Sequence, residues 1–217
     1  AMHIAASNPL AIDKNGIVYL SYTTFGPGGD PNIEFRRLDN PTPYYEVWSY
    51  LPSCQASVFS GDYASILFDQ NNQLYVSLEY PDQYISTYIW DSNNTCNWTQ
   101  LGVVYEVEGY KPEISISENG ELYLAANACN TCSGAALYMY DSLSWLDLGG
   151  WTGVSTPSVS LNMNKQTPYI SYLDGYTYHV GLVRLQTDSN NILNFPHLSD
   201  TSLPIGINNA GNAIGTS

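Results

Sequence analysis

Basic residues are scarce in this chain. Six lysines and arginines stand against 20 aspartates and glutamates in 217 residues, so the formal net charge is -14 and the sequence pI is about 4.1. Affinity for nucleic acids comes largely from Lys and Arg side chains that neutralise phosphates, so this charge balance disfavours DNA and RNA as partners. Long apolar runs are also missing, and without a run of about 18 apolar residues we expect no membrane insertion.

Helical periodicity is a further absence. No segment places apolar residues at i, i+3, i+4 and i+7 over three turns, so we expect almost no helix. Charged residues make up only 12% of the chain and hydrophobic residues 44%, with 19 tyrosines and 5 tryptophans supplying most of the aromatic content. Aromatic residues favour strands, and disordered chains carry more charge, so the composition predicts an all-β protein.

One pattern recurs along the chain at a nearly fixed spacing. Each copy opens with a small residue or a proline, alternates apolar and polar positions, turns at an Asn- or Gly-rich pair, and resumes the alternation around a tyrosine. Alternation with a period of two places one face of a strand in a core, and Asn-Gly adopts positive φ easily, so each copy predicts two strands joined by a tight hairpin. The copies are NPLAIDKNGIVYLSY from Asn8, YASILFDQNNQLYVSLEY from Tyr63, KPEISISENGELYLAAN from Lys111 and TPSVSLNMNKQTPYISYLD from Thr156, and LPIGINNAGNAIGTS from Leu203 begins in the same way.

A third and a fourth strand are predicted after each hairpin. The third strands are PNIEFRRLD, YISTYIWD, AALYMYD and YHVGLVRLQ, and a shorter fourth element carries Trp48, Trp98 and Trp145 at matching positions in EVWSYL, NWTQLG and SWLDLG. Four-stranded units that repeat every 40 to 50 residues or so are typical of propeller blades. We therefore predict a β-propeller of four-stranded antiparallel blades that begin near residues 9, 64, 112, 157 and 204.

The fifth unit supplies only two strands. We expect a single domain over residues 1–217 with five blades, the last of them short or shared between the termini through a strand from Met2 to Ala6, because an open ring would leave exposed sheet edges. The alternatives are a ring cut from a larger propeller, four blades that close alone, and a β-sandwich, which does not explain the constant order of the elements. The tyrosines of the second strands, which we expect to pack between blades, are Tyr19, Tyr75, Tyr123 and Tyr169.

Two local motifs connect these repeats with a known group. The turn Asp13-Lys14-Asn15-Gly16 is followed by Tyr19, Glu118-Asn119-Gly120 is followed by Tyr123, and the fourth strands read Trp98-Thr99-Gln100-Leu101-Gly102 and Trp145-Leu146-Asp147-Leu148-Gly149. In these blades the chain resembles secreted bacterial β-propeller repeat proteins, and the resemblance implies a fold rather than a reaction. Sialidases share the architecture but have Thr-Trp after the turn glycine and three arginines for the substrate carboxylate. This chain offers Arg36, Arg37 and Arg184, and adjacent Arg36 and Arg37 fall on opposite faces of a strand, so sialidase activity is disfavoured.

The loops that join second to third strands and blade to blade are expected to lie on one face, where ligands bind. They combine carboxylates with aromatic rings, which suits sugars, because a ring stacks on a pyranose while Asp or Glu accepts bonds from its hydroxyls. The same set suits a basic protein partner, and an acidic surface without a ligand is the third alternative. The candidate ligand-binding residues are Tyr80, Asp82, Tyr84, Glu106, Tyr110, Trp151, Asp174, Tyr176 and Tyr178.

Catalytic signatures are weak. Glycoside hydrolysis needs two carboxyl groups about 5 to 10 Å apart, and no G-x-S-x-G motif or calcium-loop motif occurs. We predict no catalytic residue, metal or cofactor, and favour a monomeric binding module for carbohydrate or protein over an enzyme. A propeller-type glycan hydrolase and a structural or adhesive domain of a larger surface protein are the alternatives.

The cysteines bear on location. Cys129 and Cys132 have C-x-x-C spacing in a stretch of small and polar residues, which favours a disulfide over a redox or zinc site. Four cysteines allow three full pairings, and if Cys129 pairs with Cys132, then Cys54 is left for Cys96. Disulfides persist in oxidising compartments, so we expect a secreted, periplasmic or cell-surface protein.

Overall fold

The chain forms strands and turns throughout the part that the structure describes. This computed structural model describes residues 2–3, 9–25, 31–39, 47–51, 59–61, 63–80, 84–91, 97–104, 111–127, 134–152, 159–164, 166–173, 180–187, 193–194, 197–199, 203–207 and 213–216. No helix occurs within these ranges, and therefore none that is long and apolar enough to cross a membrane. The expectation of an all-β chain is confirmed there.

The chain divides into two compact units, Ala1–Tyr105 and Glu106–Ser217. Unit 1 holds two antiparallel sheets. Sheet 1 has the order β1-β3-β4-β5, with β2 also paired to β3 and β6 to β4, and sheet 2 has the order β7-β8-β9-β10. The strands of unit 1 are β1 (Met2–His3), β2 (Leu10–Ile12), β3 (Val18–Phe25), β4 (Pro31–Leu38), β5 (Trp48–Tyr50), β6 (Phe59–Ser60), β7 (Ala64–Phe68), β8 (Leu74–Tyr80), β9 (Tyr84–Asp91) and β10 (Asn97–Val104).

Unit 2 holds two further four-stranded antiparallel sheets and two strand pairs. Sheet 3 has the order β11-β12-β13-β14, sheet 4 has the order β15-β16-β17-β20, and the pairs are β18-β19 and β21-β22. Its strands are β11 (Glu113–Ile116), β12 (Leu122–Asn127), β13 (Gly134–Tyr140), β14 (Trp145–Thr152), β15 (Val159–Asn164), β16 (Thr167–Leu173), β17 (Val180–Arg184), β18 (Gln186–Thr187), β19 (Leu193–Asn194), β20 (His197–Ser199), β21 (Leu203–Ile207) and β22 (Ala213–Thr216).

The predicted four-stranded antiparallel units are confirmed, including the position of the tryptophans. Trp48, Trp98 and Trp145 each begin or nearly begin the fourth strand, at the same register against the third strand. One detail differs at the N-terminus. Met2 and His3 pair with Thr24 and Thr23 of β3, so these two residues extend sheet 1 instead of adding a strand to a fifth unit. The number of blades and the single domain stay predictions.

In sheets 1, 2 and 3 the hairpins between first and second strands close with three-residue turns. Gly16, Asn72 and Gly120 occupy the last turn position with φ of 80°, 67° and 84°, the left-handed region that Gly and Asn tolerate best. Immediately before the turn, Asp13 Oδ1 accepts the backbone N–H groups of Asn15 and Ile17 at 2.8 Å each, and Asp69 makes the equivalent bonds. These carboxylates hold turns together, which accounts for them without a metal.

The fourth strands of sheets 2 and 3 contain a bulge at the same place. Leu101 is left unpaired between Gln100 and Gly102, and Leu148 is left unpaired between Asp147 and Gly149. Gly149 has φ of 100°, and its N–H donates to Asp147 Oδ1 at 2.7 Å. A bulge adds one residue and increases the local twist, so the W-x-x-L-G pattern of the sequence specifies a bulged edge strand.

The core of unit 1 forms where sheets 1 and 2 pack together. Tyr19 meets Phe68 edge to face with ring centroids 4.8 Å apart, and Phe35 lies 5.4 Å from Trp98. The hairpins also join, because the backbone N–H of Lys14 donates to Asn72 Oδ1 at 2.7 Å. In unit 2 the sheets 3 and 4 share a second core that comprises Tyr123, Ala125, Leu137, Leu161 and Ile170. The predicted packing role of the second-strand tyrosines is confirmed for Tyr19 and Tyr123, which lie in these two cores.

Gly61 allows the chain to pass from sheet 1 to sheet 2. Its N–H donates to the carbonyl oxygen of Pro31 at 3.2 Å. A Cβ at this position would overlap the backbone carbonyl oxygen of Glu79 and lie 3.2 Å from the Ile33 side chain. Glycine is therefore required here by close backbone approach, and it fixes the path of the chain beside the end of β8.

Candidate functional site

The loops predicted to bind ligands begin at one end of each sheet. The second strand stops and the third begins there, at Phe25 and Pro31 in sheet 1, at Tyr80 and Tyr84 in sheet 2, and at Asn127 and Gly134 in sheet 3. We call this end of a sheet its loop end, and the opposite end, with the tight turns, its hairpin end. The first strands β2, β7 and β11 also start at the loop end, because each is antiparallel to the second strand.

Two of the predicted residues form an aromatic pair at the loop end of sheet 2. Tyr80 and Tyr84 are cross-strand partners, and their rings stack with centroids 4.6 Å apart and planes only 11° from parallel. Tyr80 packs against the core of unit 1, and its hydroxyl hydrogen-bonds the Tyr88 hydroxyl at 2.9 Å. Burial, aided by the bond to Tyr88, raises the pKa of Tyr80. The Tyr84 ring is partly exposed, and it stacks on the Tyr80 ring, which packing against the core holds in place.

Glu79 precedes Tyr80 and points to the opposite face of β8. Only 7% of its surface is exposed, although it lies beside the loop end. Its backbone N–H donates to the carbonyl oxygen of Tyr63 at 3.0 Å, which ties the start of sheet 2 to this point. A buried carboxylate and an aromatic pair thus stand on adjacent residues of one strand.

A second buried carboxyl group, which the sequence reasoning missed, stands at the loop end of sheet 3. Glu113 is the first residue of β11 and is 5% exposed. Burial raises the pKa of its carboxyl group from 4.5 to about 8, and no charged group in the described part of the chain contributes to that shift. Among the residues that the structure describes, none forms a hydrogen bond or ion pair with this side chain. A buried carboxyl group without a partner is costly, so Glu113 calls for an explanation.

The repeat shows that Glu113 is specific to sheet 3. In each sheet the tyrosine of the second strand has a cross-strand partner in the first strand, and Glu113 lies two residues before that partner. The same position is occupied by Pro9 in sheet 1, Ser65 in sheet 2 and Ser160 in sheet 4. The residue opposite differs as well. Ala125 faces Glu113, whereas serines stand opposite in the other three sheets, at Ser21, Ser77 and Ser171. Among the four sheets, sheet 3 is therefore the one in which this position carries a carboxyl group and the residue opposite has no hydroxyl group.

The backbone that leads into Glu113 is also unusual. Lys111 has φ of 71°, a left-handed conformation that costs a non-glycine residue energy. Pro112 follows and is buried. This conformation occurs two residues before Glu113, at the entrance to β11.

A polar network on sheet 1 was not anticipated either. The Tyr22 hydroxyl donates to Glu34 Oε2 at 2.5 Å, Thr24 Oγ1 donates to Glu34 Oε1 at 3.2 Å, and Arg36 Nε donates to the Tyr22 hydroxyl oxygen at 2.8 Å. Burial, with the bond to Glu34, raises the pKa of Tyr22 to about 12. Arg37 bonds Asp39 on the other face, as predicted for adjacent residues of a strand. Every member of this network has a partner, so it serves to order the sheet face.

The structure describes only part of the predicted site. Tyr80 and Tyr84 come together as described, and Trp151 lies on β14 opposite Ala135, at the loop end of sheet 3. The other six candidates fall outside the described residues, as do the four cysteines, so their predicted roles and the exported location stay predictions: Asp82, Glu106, Tyr110, Asp174, Tyr176, Tyr178, Cys54, Cys96, Cys129 and Cys132. Among the described residues, no three carboxylates, histidines or cysteines are grouped as metal ligands would be.

No family model matches the chain, and no curated protein is significantly similar to it. Solved structures do match. A fucose-specific lectin from Aleuria aurantia aligns with a TM-score of 0.60 and 13% identity over 91% of this chain and 65% of its own. A GH43_1 enzyme from Xanthomonas citri aligns with a TM-score of 0.55 and 14% identity, over 87% of this chain and 75% of the enzyme. A protein of unknown function from Dyadobacter fermentans aligns with a TM-score of 0.56 and 12% identity, over 87% of this chain and 62% of that protein.

These likenesses concern the fold. A structure of the Aleuria lectin is described as a six-bladed β-propeller. The chain spans somewhat less than two thirds of the Aleuria and Dyadobacter chains, at 65% and 62% of their lengths. Together with the repeated four-stranded antiparallel sheets, they show that this chain has a fold of the β-propeller class.

Proposed function

We propose that this protein is a carbohydrate-binding module that holds its ligand at the loop end of its sheets. The stacked pair of Tyr80 and Tyr84 supports the proposal most directly. Sugars present apolar C–H faces that stack on aromatic rings, and a ring held in place by packing loses little freedom when it binds. The Aleuria lectin, of similar fold, is described as fucose-specific, which makes neutral sugars the first ligands to test.

Each unit also has a buried carboxyl group at the loop end of one of its sheets. Glu79 lies at the loop end of sheet 2 in unit 1, and Glu113 lies at the loop end of sheet 3 in unit 2. The oxygens of a buried carboxyl group accept hydrogen bonds from sugar hydroxyls. The acidic composition of the chain agrees with uncharged or cationic ligands rather than anionic ones.

Replacing Tyr84 with alanine tests this proposal. We expect the variant to bind the glycans that the wild-type chain retains on an array about tenfold more weakly, equivalent to about 1.4 kcal/mol, because the stacking surface is lost. Tyr140→Ala is the control, since Tyr140 also belongs to an aromatic pair, with Trp145, but at the hairpin end of sheet 3. Equal glycan binding by wild type and Tyr84→Ala would contradict the proposal, and a wild-type chain that retains no glycan would turn the search to a basic protein partner.

Glycan hydrolysis is the second candidate, and Glu113 is the observation that favours it. An acid that donates a proton to a glycosidic oxygen near neutral pH needs a raised pKa, and that of Glu113 is about 8. The mechanism also needs a second carboxyl group, and no described charged group acts on Glu113. Hydrolysis predicts reducing ends that are released from an array-positive oligosaccharide by the wild type and not by Glu113→Gln. Equal release by both would remove Glu113 from catalysis.

A further inference from the structure

We infer that Glu113 is a ligand-contacting residue, whose buried carboxyl group hydrogen-bonds the hydroxyls of a neutral sugar. The inference rests on the proposed function only in taking a sugar as the ligand. It adds a binding point in unit 2 that is separate from the tyrosine pair of unit 1, and it makes binding depend on pH.

The surroundings of Glu113 supply no internal use for its carboxyl group. It shares a sheet face with Ala125, its cross-strand partner, and Ala125 belongs to the core with Leu137 and Leu161. The serines that stand opposite this position in the other sheets are able to bond: Ser21 Oγ donates to the carbonyl oxygen of Pro9 at 3.4 Å, and Ser77 Oγ bonds Thr87 Oγ1 at 3.0 Å. In sheet 3 a methyl group replaces that hydroxyl. The buried side chain is therefore left with hydrogen-bonding capacity that the protein does not use.

The carboxyl oxygens of Glu113 keep a small contact with solvent. Among the described residues, the buried side-chain atoms that lack any partner are Trp145 Nε1 and Arg184 Nε. The Glu113 oxygens have no partner either but do not belong to this sealed set, so the remaining 5% exposure of the residue includes them. The carboxyl group thus keeps a small solvent contact beside Ala125, on the first residue of β11 at the loop end of sheet 3.

The neighbouring strands leave the carboxyl group uncharged near neutral pH. Among the described elements, β12 and β15 make the main contacts with β11. Tyr123 is the titratable residue of β12, it bonds Glu121 at 3.3 Å, and β15 has no titratable residue. Lys111 stands two positions before Glu113 and adds nothing to its pKa. A neutral carboxyl group presents a donor and an acceptor side by side, which matches two adjacent sugar hydroxyls, whereas a carboxylate only accepts.

The test measures affinity against pH with methyl α-L-fucoside and xylose as probes, together with the tightest neutral glycan from the array. We expect wild-type affinity to be constant up to about pH 7 and to be about tenfold weaker at pH 9 than at pH 6, because ionisation removes the donor and adds a buried charge. Glu113→Gln should bind at all pH values without this dependence, since an amide also donates and accepts. Glu113→Ala should bind about tenfold more weakly throughout.

Two further variants separate contact with the ligand from a structural role. Ala125→Ser places a hydroxyl group opposite Glu113 on the neighbouring strand. We expect this hydroxyl to hydrogen-bond the Glu113 carboxyl group and so weaken sugar binding. Glu121→Gln changes an exposed glutamate at the hairpin end of the same sheet and should bind like wild type. Affinity independent of pH in the wild type, or an unchanged pH dependence in Glu113→Gln, would overturn the inference while leaving the tyrosine site intact. If the wild type binds no neutral sugar at pH 6, the proposed function and the inference both fail.

Discussion

Phe35→Ala is expected to lower the free energy of unfolding by about 3 to 5 kcal/mol, the usual loss when a large aromatic side chain leaves a cavity in a close-packed core. Phe35 is 2% exposed and packs against Trp98 of the neighbouring sheet, so its removal opens the junction of sheets 1 and 2. Urea denaturation followed by tryptophan fluorescence measures the change.

Phe25→Ala is the matched control for this prediction. Phe25 lies on the same sheet, at the loop end of β3, and is 46% exposed. Its replacement should cost less than about 1 kcal/mol, since exposed positions contribute little. Equal losses in the two variants would mean that sheets 1 and 2 do not share the core described above.

Glu113→Gln is expected to make the protein more stable than wild type as pH rises. The folded pKa of about 8 lies above the ordinary 4.5, so the folded state keeps a proton that the unfolded chain releases. That contribution is fully present below pH 4.5 and is lost as pH rises through 8. Wild-type stability should therefore fall by about 1.4 kcal/mol per pH unit within this window, and by about 3 to 5 kcal/mol in all, relative to the glutamine variant.

Denaturation midpoints of both proteins from pH 4 to pH 9 test whether wild-type stability falls with rising pH relative to the glutamine variant. Because the glutamine amide does not titrate, the difference in unfolding free energy should grow across the window and level off above pH 8. Glu121→Gln provides the control, because that glutamate is exposed and its replacement should leave the slope unchanged. A constant difference between wild type and Glu113→Gln would show that the carboxyl group is ionised in the folded protein at neutral pH.

Much of the fold follows from local patterns in the sequence. Alternation with a period of two, the turn residues and the repeated tryptophans act between near neighbours, and Trp48, Trp98 and Trp145 accordingly have the predicted register. The Asn-Gly pairs predicted the turn positions, although only the second residue of Asn15-Gly16 adopts positive φ. The pairing of Met2 with Thr24 was not predictable in this way, because it depends on which of several free strand edges is nearest.

The candidate site was less accessible to sequence reasoning. Tyr80 and Tyr84 were found because they flank a loop, and the cross-strand contact between them needs only a short hairpin. Glu113 was missed because KPEISIS reads as a half-exposed strand, in which a glutamate between apolar residues is assigned to the solvent face. Aligning the repeats would have revealed it, since Pro9, Ser65 and Ser160 mark the position as one for small residues. Its burial depends on Ala125 and on the neighbouring sheet, which lie far from it in the chain.

The bulges in β10 and β14 have a consequence for how copies of this protein behave in concentrated solution. Among the described strands, each of these two is the last in its sheet and pairs with a neighbour on one side. A flat edge of that kind recruits strands from other molecules and starts aggregation, whereas a bulge interrupts the regular spacing of the groups and twists the edge away from a second edge. We therefore expect the extra leucine at positions 101 and 148 to hinder edge-to-edge association of this kind.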